Sequence, residues 1–122
     1  MTMTNFEIYN VAKAMSEAFQ DGGQYLPVKI NFFIQKNKAT LMALAQDIDN
    51  SRIAIVQNYG TLDAEANQFV VPEDKVEAAN AELMDLFNIE QEVDIRKISI
   101  DSMPEDISLT TAQMEALMFM ID

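Results

Sequence analysis

The sequence predicts an α+β fold: an N-terminal helical hairpin with a long second helix, a small two- to three-stranded antiparallel sheet, and two shorter helices. Three observations predict it. Apolar residues recur at helical spacing over 27–59, a stretch without an internal glycine or proline. Short β-favouring runs with turn residues follow Gly60. Capping patterns precede the first and the last helical segments. At 122 residues, 1–122 is expected to be a single domain.

The predicted hairpin occupies the first half of the chain. A first helix is expected over 4–19, because Thr4 and Glu7 have the spacing of a capping box and an apolar stripe follows them. The second helix is predicted over 27–59, with a proline at its first position and Gly60 as its stop. The short connection between the two favours antiparallel packing.

The long second helix is expected to need a partner. At about 1.5 Å per residue it would span roughly 50 Å and could not bury its own apolar stripe. The sequence therefore predicts self-association through residues 30–58. The candidate contact residues are Phe32, Phe33, Leu41, Ile48 and Ile55. Two alternatives remain open at this stage: the alternating run 28–32 suits a strand, and the helix can break or kink near Asn50.

The second half predicts shorter elements. Residues 61–62 and 68–71 are expected to form a small hairpin around a polar turn. A helix then extends over 73–88, and a strand over 92–100 is expected to pair with 68–71. The last helix is predicted over 111–120, after a second capping box.

The net charge of −12 lies entirely in the second half, because residues 1–60 sum to zero and residues 61–122 sum to −12. Such a surface repels nucleic acid and anionic membranes, so neither is an expected partner. A basic protein surface is the expected partner. The candidate partner-binding residues are Glu90, Glu92, Asp94, Asp101, Glu105 and Asp106. Acidity that serves only solubility is the alternative.

The sequence carries no recognisable catalytic or metal-binding motif. It has no Cys and no His, which removes thiolate nucleophiles, the usual general base and the usual nitrogen ligand of metals. A calcium-loop count beginning at Asp63 fails where a glycine is required. We therefore predict a non-enzymatic protein without a metal or cofactor. Three lysines, Lys29, Lys36 and Lys38, are expected to pair with acids of the second half, in the same chain or in a neighbouring copy.

The order of these signals resembles a family of small uncharacterised proteins encoded by tailed bacteriophages and prophages. The residues that carry the resemblance are Leu26-Pro27-Val28-Lys29, Tyr59-Gly60, Pro72-Glu73-Asp74, the helix through Ala81-Glu-Leu-Met-Asp-Leu-Phe87, and Glu92-Val93-Asp94-Ile95. The resemblance covers about residues 5–121 and implies a phage genome as the origin. It also implies a location in the host bacterial cytoplasm or in the virion.

Three functional hypotheses follow. The first is a non-enzymatic phage accessory protein that binds a host or viral protein through its acidic half, with counter-defence or DNA mimicry as a sharper version. The second is a virion component or a tail or head assembly factor. The third is a protein that binds a small ligand.

Overall fold

The computed structural model describes residues 1–19, 26–104 and 109–122. Its elements are β1 (Thr2–Thr4), α1 (Asn5–Ala18), α2 (Val28–Tyr59), β2 (Thr61–Asp63), β3 (Gln68–Val70), α3 (Glu73–Asn88), β4 (Glu90–Glu92) and α4 (Thr111–Leu117), with 3₁₀ turns at Ile100–Ser102 and Met118–Met120. The described residues thus contain four α-helices and two antiparallel two-stranded sheets. This confirms the predicted α+β fold with an N-terminal helix pair and a long second helix.

Helix α2 is continuous over its 32 residues, so a strand at 28–32 and a break near Asn50 were both wrong. Residues 28–32 are helical, and Asn50 lies inside the helix, where its side-chain oxygen accepts a hydrogen bond from Gln46 Nε2 at 3.0 Å. Arg52 Nε bonds Asp49 Oδ1 across the same turn at 2.9 Å. These local side-chain bonds support the helix where the polar run predicted a break. No helix of the described ranges is long and apolar enough to cross a membrane.

The strand pairing differs from the prediction. β2 and β3 form the expected hairpin, but the pairing of a strand at 92–100 with 68–71 is wrong. Instead β4 pairs with β1, in a register that places Thr2 opposite Glu92 and Thr4 opposite Glu90. The three residues of β1 are too few to give a periodic signal, and their partner lies almost 90 positions away along the chain.

The core forms two neighbouring clusters. The first surrounds the beginning of α2, and its most completely buried members are Met15, Ile34, Leu117 and Met120. The second lies between α1, the middle of α2 and the end of β4, and consists of Met3, Ile8, Ala12, Leu41, Ile48 and Val93. Both clusters pack against Val11, Ile95 and Phe119, which join them.

Two of the predicted self-association residues belong to the second cluster, and the prediction is wrong for both of them. Leu41 is 0% exposed and Ile48 is 3% exposed, and both pack against α1 of the same chain. They are therefore core residues and are closed to a second copy. The sequence pattern identified an apolar stripe correctly, but it did not show that α1 covers the middle of that stripe.

Buried amides connect segments that are distant in sequence. Asn5 Nδ2 donates to the Leu86 carbonyl at 2.9 Å, and Asn5 Oδ1 accepts from Gln91 Nε2 at 2.7 Å. Gln113 Nε2 donates to the Ala18 carbonyl at 3.1 Å. Because a buried amide without a partner is costly, each bond favours one arrangement of the elements that it joins.

Candidate functional site

Three of the predicted partner-binding acids form one row. Glu90, Glu92 and Asp94 are exposed and alternate with Gln91 and Val93, whose side chains are half-buried and buried. Successive side chains of an extended chain point to opposite sides, so the three carboxylates share the outer side. We call Glu90, Glu92 and Asp94 the acidic row.

The charge of Glu92 is stabilised by its neighbours. The Thr2 hydroxyl donates a hydrogen bond to its carboxylate, and the amino group of Met1 lies 3.5 Å from Glu92 Oε2. The hydrogen bond from Thr2 is the larger cause, and together the two neighbours hold the pKa of Glu92 below its ordinary value. Glu92 therefore remains a carboxylate at a lower pH than an isolated glutamate.

Of the remaining predicted acids, only Asp101 belongs to the described residues, and it lies outside the acidic row. Asp101 is exposed on the 3₁₀ turn at Ile100–Ser102. Glu105 and Asp106 lie outside the described residues. Within the described ranges, no three acidic side chains converge as the ligands of a metal ion would.

A second surface lies at the far end of α2. From 49 to 78, thirty consecutive residues contain no buried side chain. We call this segment, which holds the last turns of α2, the β2–β3 hairpin and the first turns of α3, the tail. Its exposed large apolar side chains are Ile53, Leu62, Phe69, Val70 and Val76. Sequence reasoning identified only Ile55 here, and the structure leaves that residue half-buried.

The tail is also acidic. It contains six acids and two bases, a net charge of −4, and Arg52 is already bound to Asp49. At the end of α2, desolvation is the main cause that raises the pKa of Tyr59, and the neighbouring Glu82 carboxylate raises it further. The exposed apolar side chains therefore lie in a negative field.

The tail hairpin is fitted closely against α2. A Cβ atom at Gly60 would lie 2.6 Å from the Val56 carbonyl oxygen and 3.3 Å from that of Val70. Gly60 has an extended backbone with φ of −95°, so close approach, and not a left-handed conformation, requires the glycine. The hairpin turn has Asn67 at φ 52°, a conformation that asparagine tolerates well.

An apolar cleft of about 700 Å³ lies between α1 and α3. Phe87 forms its aromatic wall, with edge-to-face contacts to Phe6 at 6.4 Å and to Tyr9 at 5.9 Å between ring centroids. Met84, which is 65% exposed, lies at its border. Three of the other lining residues are Asn10, Asn80 and Asn88. The lining residues that the structure describes carry no charge.

Basic and aromatic side chains meet at the opposite end of α2. Lys29 Nζ lies 5.7 Å from the centre of the Phe33 ring, Lys36 Nζ lies 5.8 Å from that of Phe32, and the Arg96 guanidinium lies 5.8 Å from Phe33. The spacing i, i+4 on one helix explains the two lysine contacts. We call these five residues the head cluster.

Asn37 places Arg96 beside the head cluster. Its side-chain amide donates to the Arg96 carbonyl and accepts from the Arg96 amide, both at 2.9 Å. The predicted lysine cluster is therefore rearranged: Arg96 joins Lys29 and Lys36, whereas Lys38 donates to the Phe19 carbonyl at 3.2 Å. Sequence reasoning missed Arg96, because 59 residues separate it from Asn37. A buried asparagine in an apolar stripe is the signal that points to such a contact.

The predicted self-association residues thus have different environments. Phe32 is 51% exposed in the head cluster, Phe33 is half-buried beneath Arg96, and Ile55 is half-buried in the tail. Core residues close the middle of the apolar stripe of α2 to another protein, whereas the opposite side of the helix, which includes the 43% exposed Met42, is accessible.

Comparisons of the sequence and of the fold with known proteins find no matching family model, no matching curated protein and no matching solved structure. The resemblance to phage-encoded proteins stays a prediction. Arguments about function therefore start from the tail, the acidic row, the cleft and the head cluster.

Proposed function

We propose that the chain is a non-enzymatic protein-binding protein and that the tail is its binding surface. The observation that supports this most is the combination of thirty residues without a buried side chain and five exposed large apolar side chains. Exposed apolar patches with a polar rim are typical of interaction sites. Burying one large apolar side chain stabilises a complex by about 1.5–3 kcal/mol.

The charge of the tail defines the chemistry of its partner. Six acids lie in the same segment as the apolar side chains, so the fitting surface is apolar and flanked by lysine or arginine. The acidic row supplies further negative charge. Exposed ion pairs contribute about 1 kcal/mol or less each, so the row attracts and orients a basic partner while the tail holds it.

The biological setting is proposed from the resemblance alone. It is that of a phage accessory protein acting in the host bacterial cytoplasm. An assembly role in the virion is the second version of this setting. Mass spectrometry of purified particles distinguishes the two, since an accessory protein is absent from particles and a structural component is present at a fixed copy number.

The test is a capture experiment with tail variants. Leu62→Ser combined with Phe69→Ser removes apolar area from exposed positions, and Met114→Ser combined with Met118→Ser is the matched control on α4. We expect the wild type and the control to capture the same basic protein from a bacterial lysate in low salt, and the tail variant to lose it. Equal capture by all three proteins, or no specific capture in any salt, contradicts the proposal.

The cleft between α1 and α3 favours a second candidate, binding of a small neutral ligand. Its volume of about 700 Å³ and its aromatic lining suit an uncharged aromatic molecule, with asparagine amides as hydrogen-bonding groups. Thermal denaturation with indole and with nucleosides tests this. A rise in melting temperature that Met84→Ala abolishes supports it, and no shift with any of these compounds at millimolar concentration contradicts it.

A further inference from the structure

We propose that the tail of one copy binds the head cluster of a second copy, so that the protein assembles head to tail. This inference rests on the proposed function, because it names the partner of the tail. The partner surface required above is apolar and flanked by cations, and the head cluster of the same chain has this composition.

Within the described ranges, no ion pair neutralises the positive charges of the head cluster. Lys29, Lys36 and Arg96 lie against aromatic rings, and the ion pairs found in the described ranges involve other groups. The tail has a net charge of −4. Opposite potentials of this kind bring two surfaces together and select their orientation.

Both surfaces also offer apolar area. Phe32 is 51% exposed beside Lys36, and Leu62 of the tail is 58% exposed. Beside the head cluster lies a small cleft of about 210 Å³, lined in part by Lys29, Lys97 and Ser99. Ammonium and hydroxyl donors suit a carboxylate, which the glutamates of the tail supply.

The charges disfavour pairing of like surfaces. Two tails, or two head clusters, would bring like charges together. About 22 residues of α2 separate Phe33 from Ile55, which corresponds to about 33 Å along the helix. The dipole of α2 adds to this polarity, because it is positive at the head and negative at the tail. Contacts between a head and a tail therefore close into an antiparallel twofold dimer, in which each head meets the tail of the other copy, or continue into rings or open chains.

The experiment is a charge exchange. The head variant carries Lys29→Glu and Lys36→Glu, and the tail variant carries Glu73→Lys and Glu77→Lys. All four residues are exposed on helix surfaces, and circular dichroism checks the fold of each variant. The control variant carries Glu17→Lys and Glu115→Lys, which add the same positive charge outside the tail.

We expect the wild type and the control to form concentration-dependent oligomers in 50 mM salt, measured by light scattering at about 10–100 µM. The head variant is expected to be monomeric, because its head cluster then carries a net charge of −1 and its tail a net charge of −4. The tail variant is also expected to be monomeric, because its two substitutions reduce the net charge of the tail from −4 to zero. An equimolar mixture of the two is expected to form mixed dimers, because the unchanged head cluster of the tail variant meets the unchanged tail of the head variant. Salt at 1 M weakens assembly of the wild type by tenfold or more.

Any of four outcomes overturns the inference. The first two are a wild type that is monomeric at 100 µM and oligomers in either variant equal to those of the wild type. The other two are a mixture that stays monomeric and a head cluster that binds duplex DNA and not the tail of a second copy. A further result separates the inference from the proposed function: the wild type is monomeric and captures a foreign basic protein, and the variant with Leu62→Ser and Phe69→Ser does not capture it. The tail would then bind a partner as proposed, but that partner would not be a second copy. Failure of the proposed function would be a different result, in which no substitution in the tail changes the binding of any protein, whether a second copy or a foreign partner.

Discussion

Replacement of Asn37 by alanine tests how the head cluster is held in place. Asn37 is 1% exposed, and its amide forms both hydrogen bonds to the backbone of Arg96. Asn37→Ala removes the two bonds and leaves the N–H and carbonyl groups of Arg96 without their protein partner. It also removes the contact of the amide with Met120 Sδ at 3.3 Å.

The expected loss of stability is about 2–3 kcal/mol. Two net hydrogen bonds contribute about 0.5–1.5 kcal/mol each, and an unsatisfied buried group costs about 1–3 kcal/mol. The Arg96 side chain is exposed, so water reaches part of the freed backbone and the lower part of that range applies. For a domain of this size, 1 kcal/mol corresponds to about 4 °C, so the melting temperature should fall by roughly 8–12 °C.

Urea denaturation followed by circular dichroism measures the free energy of unfolding. Gln35→Ala is the matched control, because Gln35 is exposed on the same turns of α2, and it should change stability by less than about 0.5 kcal/mol. Hydrogen exchange at the Arg96 amide should accelerate in Asn37→Ala only. A stability of Asn37→Ala within about 0.5 kcal/mol of the wild type would refute the role given to this asparagine.

Three further predictions concern the core, the tail and the acidic row. Leu41→Ala should lower the free energy of unfolding by about 2–5 kcal/mol in denaturant while light scattering shows an unchanged oligomeric state, because this residue is 0% exposed within its own chain. A changed oligomeric state would contradict the assignment. Gly60→Ala should cost about 1–3 kcal/mol and accelerate hydrogen exchange in the β2–β3 hairpin, since the added Cβ meets a backbone oxygen at 2.6 Å; unchanged exchange would show that the hairpin shifts freely. The pKa of Glu92 is lowered in the folded protein. The contribution of Glu92 to the free energy of unfolding is therefore fully present above the ordinary pKa of a glutamate and is lost as the pH falls through the lowered pKa. Unfolding curves of the wild type and Glu92→Gln should therefore differ at pH 7 and converge once the pH lies below the lowered pKa, and a difference independent of pH would be evidence against the bond to Thr2.

Local patterns predicted the helices well. The capping boxes at Thr4 and Thr110 are present with both of their hydrogen bonds, and the helical spacing over 27–59 corresponds to one helix. These signals lie within a few residues of the structure that they specify. The pairing of β1 with β4 depends instead on where α1 and α3 bring the ends of two three-residue strands, and no local pattern encodes that.

The candidate surfaces were predictable only in part. The charge division pointed to the second half as a partner surface, which stays a prediction, and alternation alone suffices to place Glu90, Glu92 and Asp94 on one side of a strand. The tail was not predicted, because apolar residues such as Leu62 and Phe69 look the same in sequence whether a fold covers them or leaves them exposed. The head cluster was missed for a related reason, since it requires Arg96 from a distant segment.

The long helix was expected to associate along its whole stripe, and the structure restricts that expectation to its ends. Ile34, Leu41 and Ile48 are covered by the chain itself, so a second copy has no access to the middle of the apolar stripe. What remains exposed differs at the two ends: cations on aromatic rings at one, and apolar side chains among acids at the other. A helix with unlike ends favours contacts in which each head meets a tail, either in a closed antiparallel dimer or in a growing chain of copies. The distribution of charge between the two ends, more than the net charge of −12 of the whole chain, therefore decides how this chain would associate.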